Sequence, residues 1–285
     1  MGLRRLGVIG WPVEHSRSPA MQNAALAAVG LDGEYVYERL AVAPDAFEQT
    51  VRRLPAQGFV GVNVTIPHKE AALALADEAS DEARAIGAAN TLTFGADGAI
   101  RADNTDAPGL LDALGDPPPK TAMVLGAGGS ARAAAYALRS VGAAVAVWNR
   151  TSARARRLAS DLGAAAVEAP VLAEVLVNCT SAGMQDRPDS FKEMPVNADD
   201  LGEYACVVDL VYRDGGTELL RQAGRRGCRC VDGLEILVRQ GARSFQIWTG
   251  RSAPLDVMRR AAHSGLEPSQ LPSSPPGPPG GRADP

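Results

Sequence analysis

Residues 121–142 read TAMVLGAGGSARAAAYALRSVG, and this stretch decides the fold. A short apolar run from Thr121 to Leu125 meets Gly126, Ala127, Gly128, Gly129 and Ser130, and beyond Ala131 apolar residues recur at helical spacing. As an isolated motif a GxGxxG-type turn is weak evidence. Between a strand and a helix of a βαβ unit it is the arrangement in which a dinucleotide pyrophosphate meets the free N–H groups and positive end of the helix. The glycines permit a tight turn and close backbone approach, and Ala131 at the third position stays within the tolerated pattern.

The following predicted strand, Val145–Trp148, leads into NRTSARARR. A unit that binds NAD usually places Asp or Glu here for the ribose 2′-hydroxyl. Asn149, Arg150, Thr151 and Arg154 stand there instead, and a guanidinium pairs bidentately with a 2′-phosphate. NADP is therefore the expected cofactor. Arg156 and Arg157 read as a solvated helix face.

Upstream, strand and helix patterns alternate: strands at Arg5–Ile9, Glu34–Ala41, Gly61–Ile66 and Thr91–Phe94, helices at Pro19–Val29, Pro44–Arg53 and Pro67–Ala76. The turn-rich GDPPPK at 115–120 separates this series from the one around the glycine loop. The expectation is an α/β protein of two α/β domains. Residues 1–105 form the first and 106–233 a Rossmann-like dinucleotide domain, and helices within 234–263 return to the first. Residues 264–285, rich in Pro, Gly and Ser, are expected to be disordered.

The chain has 285 residues, 46% hydrophobic, with a formal charge of −4 and a pI near 5.5, which gives no electrostatic footprint for nucleic acid. No apolar run approaches the roughly 18 residues needed to span a bilayer, and the opening MGLRRLGVIGWP reads as a first strand rather than a signal segment. A membrane partner is not expected, and the cytoplasm is the expected location. Cys179, Cys206, Cys228 and Cys230 form no CxxC pair, and His15, His68 and His263 are scattered, so neither disulfides nor a metal site is expected. The oligomeric state is not set by the sequence, and a homodimer is compatible with it.

GVNVTIPHKE at 61–70 places Lys69 in the first turn of a predicted helix, next to the positive end of the helix dipole, where a cation is poorly served. That cost suggests a use. Taken singly, other polar residues have plain readings: Ser18 caps the helix that starts at Pro19, Asp106 serves the helix near Pro108, and Asn90 satisfies a turn.

Together with GWPVEHSRSPAMQNAAL, GAANTL, DNTDAPG, NCTSAGM, VVDLVYRDGGTELL and VDGLEILVRQGARSF, these stretches follow in the order and approximate spacing of the shikimate dehydrogenase family, which the chain resembles from residue 5 to about 250. The resemblance implies NADPH-dependent reduction of 3-dehydroshikimate to shikimate, in aromatic amino-acid biosynthesis, in a cleft between the two domains. It implies that Ser16, Ser18 and Tyr212 hold the substrate carboxylate. Thr65, Asn90, Asp106 and Gln240 would reach the ring oxygens, and Lys69 would be catalytic with Asp106. The 126–130 loop, Asn149, Arg150, Thr151, Arg154, Leu210 and Gly233 would take the cofactor. Departures from the family pattern fall at Gln22, Ala102 and Glu235-Ile236. The carboxylate of Glu235 is expected near the nicotinamide end, where it would alter substrate preference or cofactor affinity through local repulsion of phosphate. The competing readings are a quinate/shikimate or aminoshikimate dehydrogenase, and a non-catalytic NADP-binding sensor.

Overall fold

The computed structural model describes residues 2–184, 191 and 194–264. In chain order the strands are β1 (Arg4–Gly10), β2 (Tyr35–Ala41), β3 (Phe59–Val64), β4 (Glu78–Ala79), β5 (Thr91–Phe94), β6 (Ile100–Asp103), β7 (Thr121–Leu125), β8 (Ala144–Trp148), β9 (Ala165–Ala166), β10 (Val175–Asn178), β11 (Cys206–Asp209) and β12 (Arg229–Val231). The helices are α1 (Ser18–Ala28), α2 (Phe47–Arg53), α3 (Lys69–Leu75), α4 (Asp81–Ile86), α5 (Asp106–Leu114), α6 (Gly129–Ser140), α7 (Ser152–Leu162), α8 (Glu218–Arg225), α9 (Gly233–Thr249) and α10 (Leu255–Ser264).

The second sheet runs β12-β11-β10-β7-β8-β9, and its neighbouring strands are all parallel. Its central strands β10, VLVN, and β11, CVVD, are buried along their whole length, as strands covered by helices on both faces must be. Counted from β7, chain order moves out through β8 and β9 on one side and through β10, β11 and β12 on the other. That is the doubly wound order, and the crevice at its switch point lies between the carboxyl ends of β7 and β10.

The first sheet, β2-β1-β3-β5-β6-β4, is mixed: β1 pairs parallel with β2 and β3, while β5 runs antiparallel to both β3 and β6. The β5–β6 hairpin, β4 and α4 fall in a stretch where the sequence pattern singled out β5 alone. The hairpin is closed by Gly95-Ala96-Asp97-Gly98: Asp97 Oδ1 accepts the Ala99 N–H at 3.1 Å, and Gly98 takes φ +86°. The predicted helix at Pro44 opens as a 3-10 turn, Pro44–Ala46. The helix expected from Pro67 begins at Lys69, after a turn in which the His68 N–H meets the Thr65 carbonyl. Ser264 is helical, and the rest of the expected disordered tail, residues 265–285, lies outside the described residues.

α9 joins the two units. Ile236 packs into the core of the second sheet with Val208 and Val231, while Leu234, Val238, Phe245 and Trp248 pack with Leu6, Val8 and Met258 in the first. Gly61 makes this docking close, because a Cβ there would stand 2.6 Å from Trp248 Cδ1; the indole N–H donates to the Leu92 carbonyl at 3.2 Å.

Candidate active site

The two units meet where their loops face one another. Gly129, at the start of α6, lies so close to α3 that a Cβ on it would be 2.6 Å from Lys69 Cβ. The lysine side chain runs along this contact, and Nζ donates to Asp106 Oδ2 at 2.6 Å and to Ser130 Oγ at 3.0 Å. Both members of the pair are largely enclosed, with side-chain exposures of 11% for Lys69 and 13% for Asp106. In such a site a charge-assisted hydrogen bond is stronger than at the surface.

Asp106 opens α5, where Asn104 Oδ1 accepts the N–H groups of Asp106 and Ala107. Its other oxygen accepts from Asn90 Nδ2 at 3.0 Å. Asn90 Nδ2 also reaches Thr105 Oγ1 and Gln240 Oε1, at 2.9 and 3.1 Å, while its Oδ1 accepts the Thr105 N–H at 2.8 Å. The amide is thus held in one orientation by partners from two segments of the chain.

Behind it lies a buried polar layer. Asn63 Nδ2 donates to Ser244 Oγ at 2.8 Å, Tyr37 Oη donates to Asn63 Oδ1 at 2.8 Å, and Thr91 Oγ1 lies 2.8 Å from Ser244 Oγ. Burial pushes the Tyr37 phenol up, so it stays a neutral donor. A fully satisfied network of this kind fixes the position of the side chains in front of it. Asn63, Thr91, Thr105 and Ser244 are additions to the residues singled out from sequence. The sequence carries a signal for two of the four: an Asn inside the buried strand FVGVNV, and Ser244 four residues after Gln240, on the same face of α9.

A second polar group gathers at the start of α1. The Ser18 N–H donates to Ser16 Oγ at 3.3 Å, the Arg17 N–H to Tyr212 Oη at 3.5 Å, and the Arg39 guanidinium to the Ser16 carbonyl at 3.0 and 3.1 Å. Arg17 Nη2 meets Asp214 Oδ1 at 2.8 Å. Burial raises the Tyr212 hydroxyl, opposed by the Arg17 N–H, Ser16 and the charges of Arg17 and Arg39. Thr65 is half-buried just beyond β3, and the absence of a side chain at Gly10 leaves room for its methyl group.

On the second sheet, Gly126 turns at φ +112° and passes the Cys179 backbone so closely that a Cβ would lie 3.1 Å from it. A Cβ on Gly128, by contrast, would meet no heavy atom within 4 Å, so the loop borders open space at the amino end of α6. Asn149, Arg150 and Thr151 follow β8, with Asn149 Nδ2 donating to the Thr151 carbonyl at 3.0 Å and Arg150 exposed. Arg154 is exposed and 4.0 Å from Glu70 Oε1. Gly233 starts α9 against the Leu210 carbonyl, which a Cβ would approach to 2.5 Å. A narrow glycine turn facing open space, with guanidinium groups at the next strand end, fits a phosphorylated dinucleotide.

Glu235 departs from its sequence expectation. Its carboxylate is held by Arg239 at 2.6 Å and by Arg259 at 2.8 and 3.0 Å, and Arg259 is the main cause of its lowered pKa. Its charge is spent joining α9 to α10, which removes the basis for repelling a cofactor phosphate.

Asp209 is a residue the sequence reading passed over. It is fully buried at the end of β11 and accepts from Thr217 Oγ1 at 2.7 Å, Asn178 Nδ2 at 2.9 Å and the Val211 N–H at 3.1 Å. Burial dominates and pushes it up from 3.8 to about 6, against these hydrogen bonds. Because the folded state holds this proton more tightly, the group's contribution to stability is fully present below pH 3.8 and lost as pH rises through about 6. Urea unfolding of the native chain and of Asp209→Asn between pH 4 and 7 should show this falling component in the native chain only, and parallel profiles would refute it.

Fold and site together define a two-unit, dinucleotide-dependent α/β oxidoreductase. Three family models match the chain: the shikimate dehydrogenase substrate binding domain at residues 8–92, shikimate/quinate 5-dehydrogenase at 112–182, and the shikimate 5'-dehydrogenase C-terminal domain at 233–263. Shikimate dehydrogenase (NADP(+)) of Roseobacter denitrificans is 45% identical over 271 residues, 90% of this chain and 96% of that protein. The Thermus thermophilus protein of the same name is 44% identical over 273 residues, covering 92% and 98%. A crystal structure of shikimate 5-dehydrogenase from Thermus thermophilus, in complex with NADP(H) and shikimate, superposes with a TM-score of 0.82 at 41% identity, covering 93% of this chain and all of that one. The chain belongs to the shikimate dehydrogenase family.

Proposed function

We propose that the chain catalyses the reversible NADPH-dependent reduction of 3-dehydroshikimate to shikimate, a step of aromatic amino-acid biosynthesis. The observation that carries this reading is the Lys69–Asp106 pair at 2.6 Å, enclosed between the units and 3.0 Å from Ser130 of the glycine loop. A proton-exchanging group is thereby set beside the place where a dinucleotide would lie.

In this reading the first unit takes the substrate. Ser16, Ser18 and Tyr212 hold its carboxylate, and Thr65, Asn90, Asp106 and Gln240 hold the ring oxygens. Residues 126–130, Asn149, Arg150, Thr151 and Arg154 take the cofactor, with Leu210 and Gly233 at its nicotinamide end. Hydride for reduction at the substrate C3 would come from the cofactor held there, and would return to it in oxidation. Lys69 gives a proton to the C3 oxygen in reduction and takes one from the hydroxyl in oxidation, so the alcohol forms without a free alkoxide. Asp106 orients Lys69, and Asn90 in turn orients Asp106. The shared surface of α3 and α6 excludes water from the lysine.

The test is NADP⁺ reduction, followed by absorbance, with shikimate and with quinate. Turnover with shikimate and NADP⁺ is expected. Turnover with quinate alone would move the chain to a quinate dehydrogenase, and NADP⁺ binding without turnover on either would make it a sensor.

A further inference from the structure

Tyr212 and Asp214 lie two residues apart on one loop of the second unit, and both contact the same residue of the first. Arg17 offers its N–H to Tyr212 Oη at 3.5 Å and its guanidinium to Asp214 Oδ1 at 2.8 Å. Arg17 stands between Ser16 and Ser18 in the chain, so a grip on it is a grip on the turn that presents both hydroxyls.

The loop is tied within its own unit, at its base and beyond its tip, where the Gly216 N–H donates to the Arg213 carbonyl at 3.0 Å and Arg221 Nη1 donates to the Gly215 and Gly216 carbonyls at 3.2 and 2.7 Å; its place against the first unit depends on Tyr212 and Asp214. Asp209 accepts the Val211 N–H and the Thr217 hydroxyl, which pins the two ends together. Between Asp214 and Thr217 stand Gly215 and Gly216, both left-handed at φ +75° and +77°, a backbone that glycine adopts without restraint. The Tyr212 contact is long for a hydrogen bond and would not by itself seat the tip on the first unit. The ion pair is the shorter of the two and spans the same gap.

We infer that Asp214 is a positioning residue for the carboxylate end of the substrate: by pairing with Arg17 across the cleft it seats Tyr212 on the Ser16–Ser18 turn. This inference rests on the proposed substrate. It also has a sign that separates it from a plain field effect. Asp214 is an anion near the place a carboxylate would occupy, so electrostatics alone make its removal improve substrate binding. Positioning makes its removal weaken binding.

The experiment compares the native chain with Asp214→Ala, Arg17→Asp and the charge-exchanged double variant Arg17→Asp/Asp214→Arg. For Asp214→Ala, KM for shikimate is expected to rise about two- to fivefold, the span of an exposed ion pair, with kcat changed less than twofold. Arg17→Asp should raise KM further, and the exchanged pair should recover part of the loss. In a Tyr212→Phe background Asp214→Ala should add little, because the hydroxyl it seats is gone. A KM that is unchanged or lower in Asp214→Ala overturns the inference. Hydrogen exchange of the 211–216 amides in the substrate-free protein gives a second readout. Faster exchange in Asp214→Ala is expected, and equal exchange overturns the inference even for a chain that turns over no shikimate. Absence of shikimate turnover in the native chain is a failure of the functional reading, and the exchange data then decide the positioning claim separately.

Discussion

Lys69→Ala is expected to lower kcat by about 10²–10⁴-fold, the usual contribution of a general acid–base group, while shikimate still binds. The size follows from the geometry. Nζ is the cation 2.6 Å from Asp106, and no other Lys or Arg is paired to that carboxylate among the described residues. The variant leaves Asp106 with its Asn90 contact, so the substrate side of the cleft keeps its shape. Lys69→Arg separates two explanations of the loss. Arginine keeps the positive charge beside Asp106 but does not release a proton at any working pH. Loss in both variants assigns Lys69 to proton exchange, whereas retention in the arginine variant assigns it to electrostatic support alone. Turnover within tenfold of the native chain in Lys69→Ala removes it from the reaction.

Arg150→Ala is the second large effect, and it should appear in cofactor preference. Hydrogen bonds to a charged group contribute about 1.5–3 kcal/mol, so losing the guanidinium should raise KM for NADP⁺ by about 10- to 100-fold. KM for NAD⁺, which lacks the 2′-phosphate, should barely move. Arg154→Ala should cost less for NADP⁺, since that guanidinium already lies 4.0 Å from the Glu70 carboxylate. Equal losses for both cofactors would show that Arg150 supports the loop rather than reading the phosphate. Steady-state kinetics at fixed shikimate, with each nucleotide varied, distinguish these outcomes.

The fold was legible where local chemistry is loud. The second sheet announces itself through apolar strands, the glycine turn at 126–130 and the amphipathic helix after it, because burial on both faces leaves little freedom in composition. The β5–β6 hairpin was not drawn out, although Asp97-Gly98 is a turn signal, since the runs on either side are only four residues each. In the site, Lys69 stands out because a cation at a helix start is costly. Asn90, Asp106 and Gln240 are reached only through resemblance: the first two have satisfactory local roles alone, and nothing local marks Gln240. Asp209 and Asp214 lie within the quoted stretch VVDLVYRDGGTELL, but nothing local gives either a role: one is defined by what surrounds it after folding, the other by a partner 197 residues away. Glu235 shows the opposite error, in which a position near the site suggested a charge effect that two arginines on α9 and α10 neutralise.

The docking of α9 sets a mechanical tolerance. Gly233 abuts the Leu210 carbonyl, while Gln240 and Ser244 join the polar layer of the first sheet. With a rise of about 1.5 Å per residue, Gln240 lies about 10 Å along the axis from that glycine, so each degree of tilt about Gly233 carries it about 0.2 Å. A tilt of about 5° would displace it by nearly 1 Å, a misplacement that can cost catalysis about 10²-fold. The helix therefore works as an alignment bar with a tolerance of a few degrees. Engineering at the Gly233–Leu210 joint should be judged by the angle it imposes before the volume it adds.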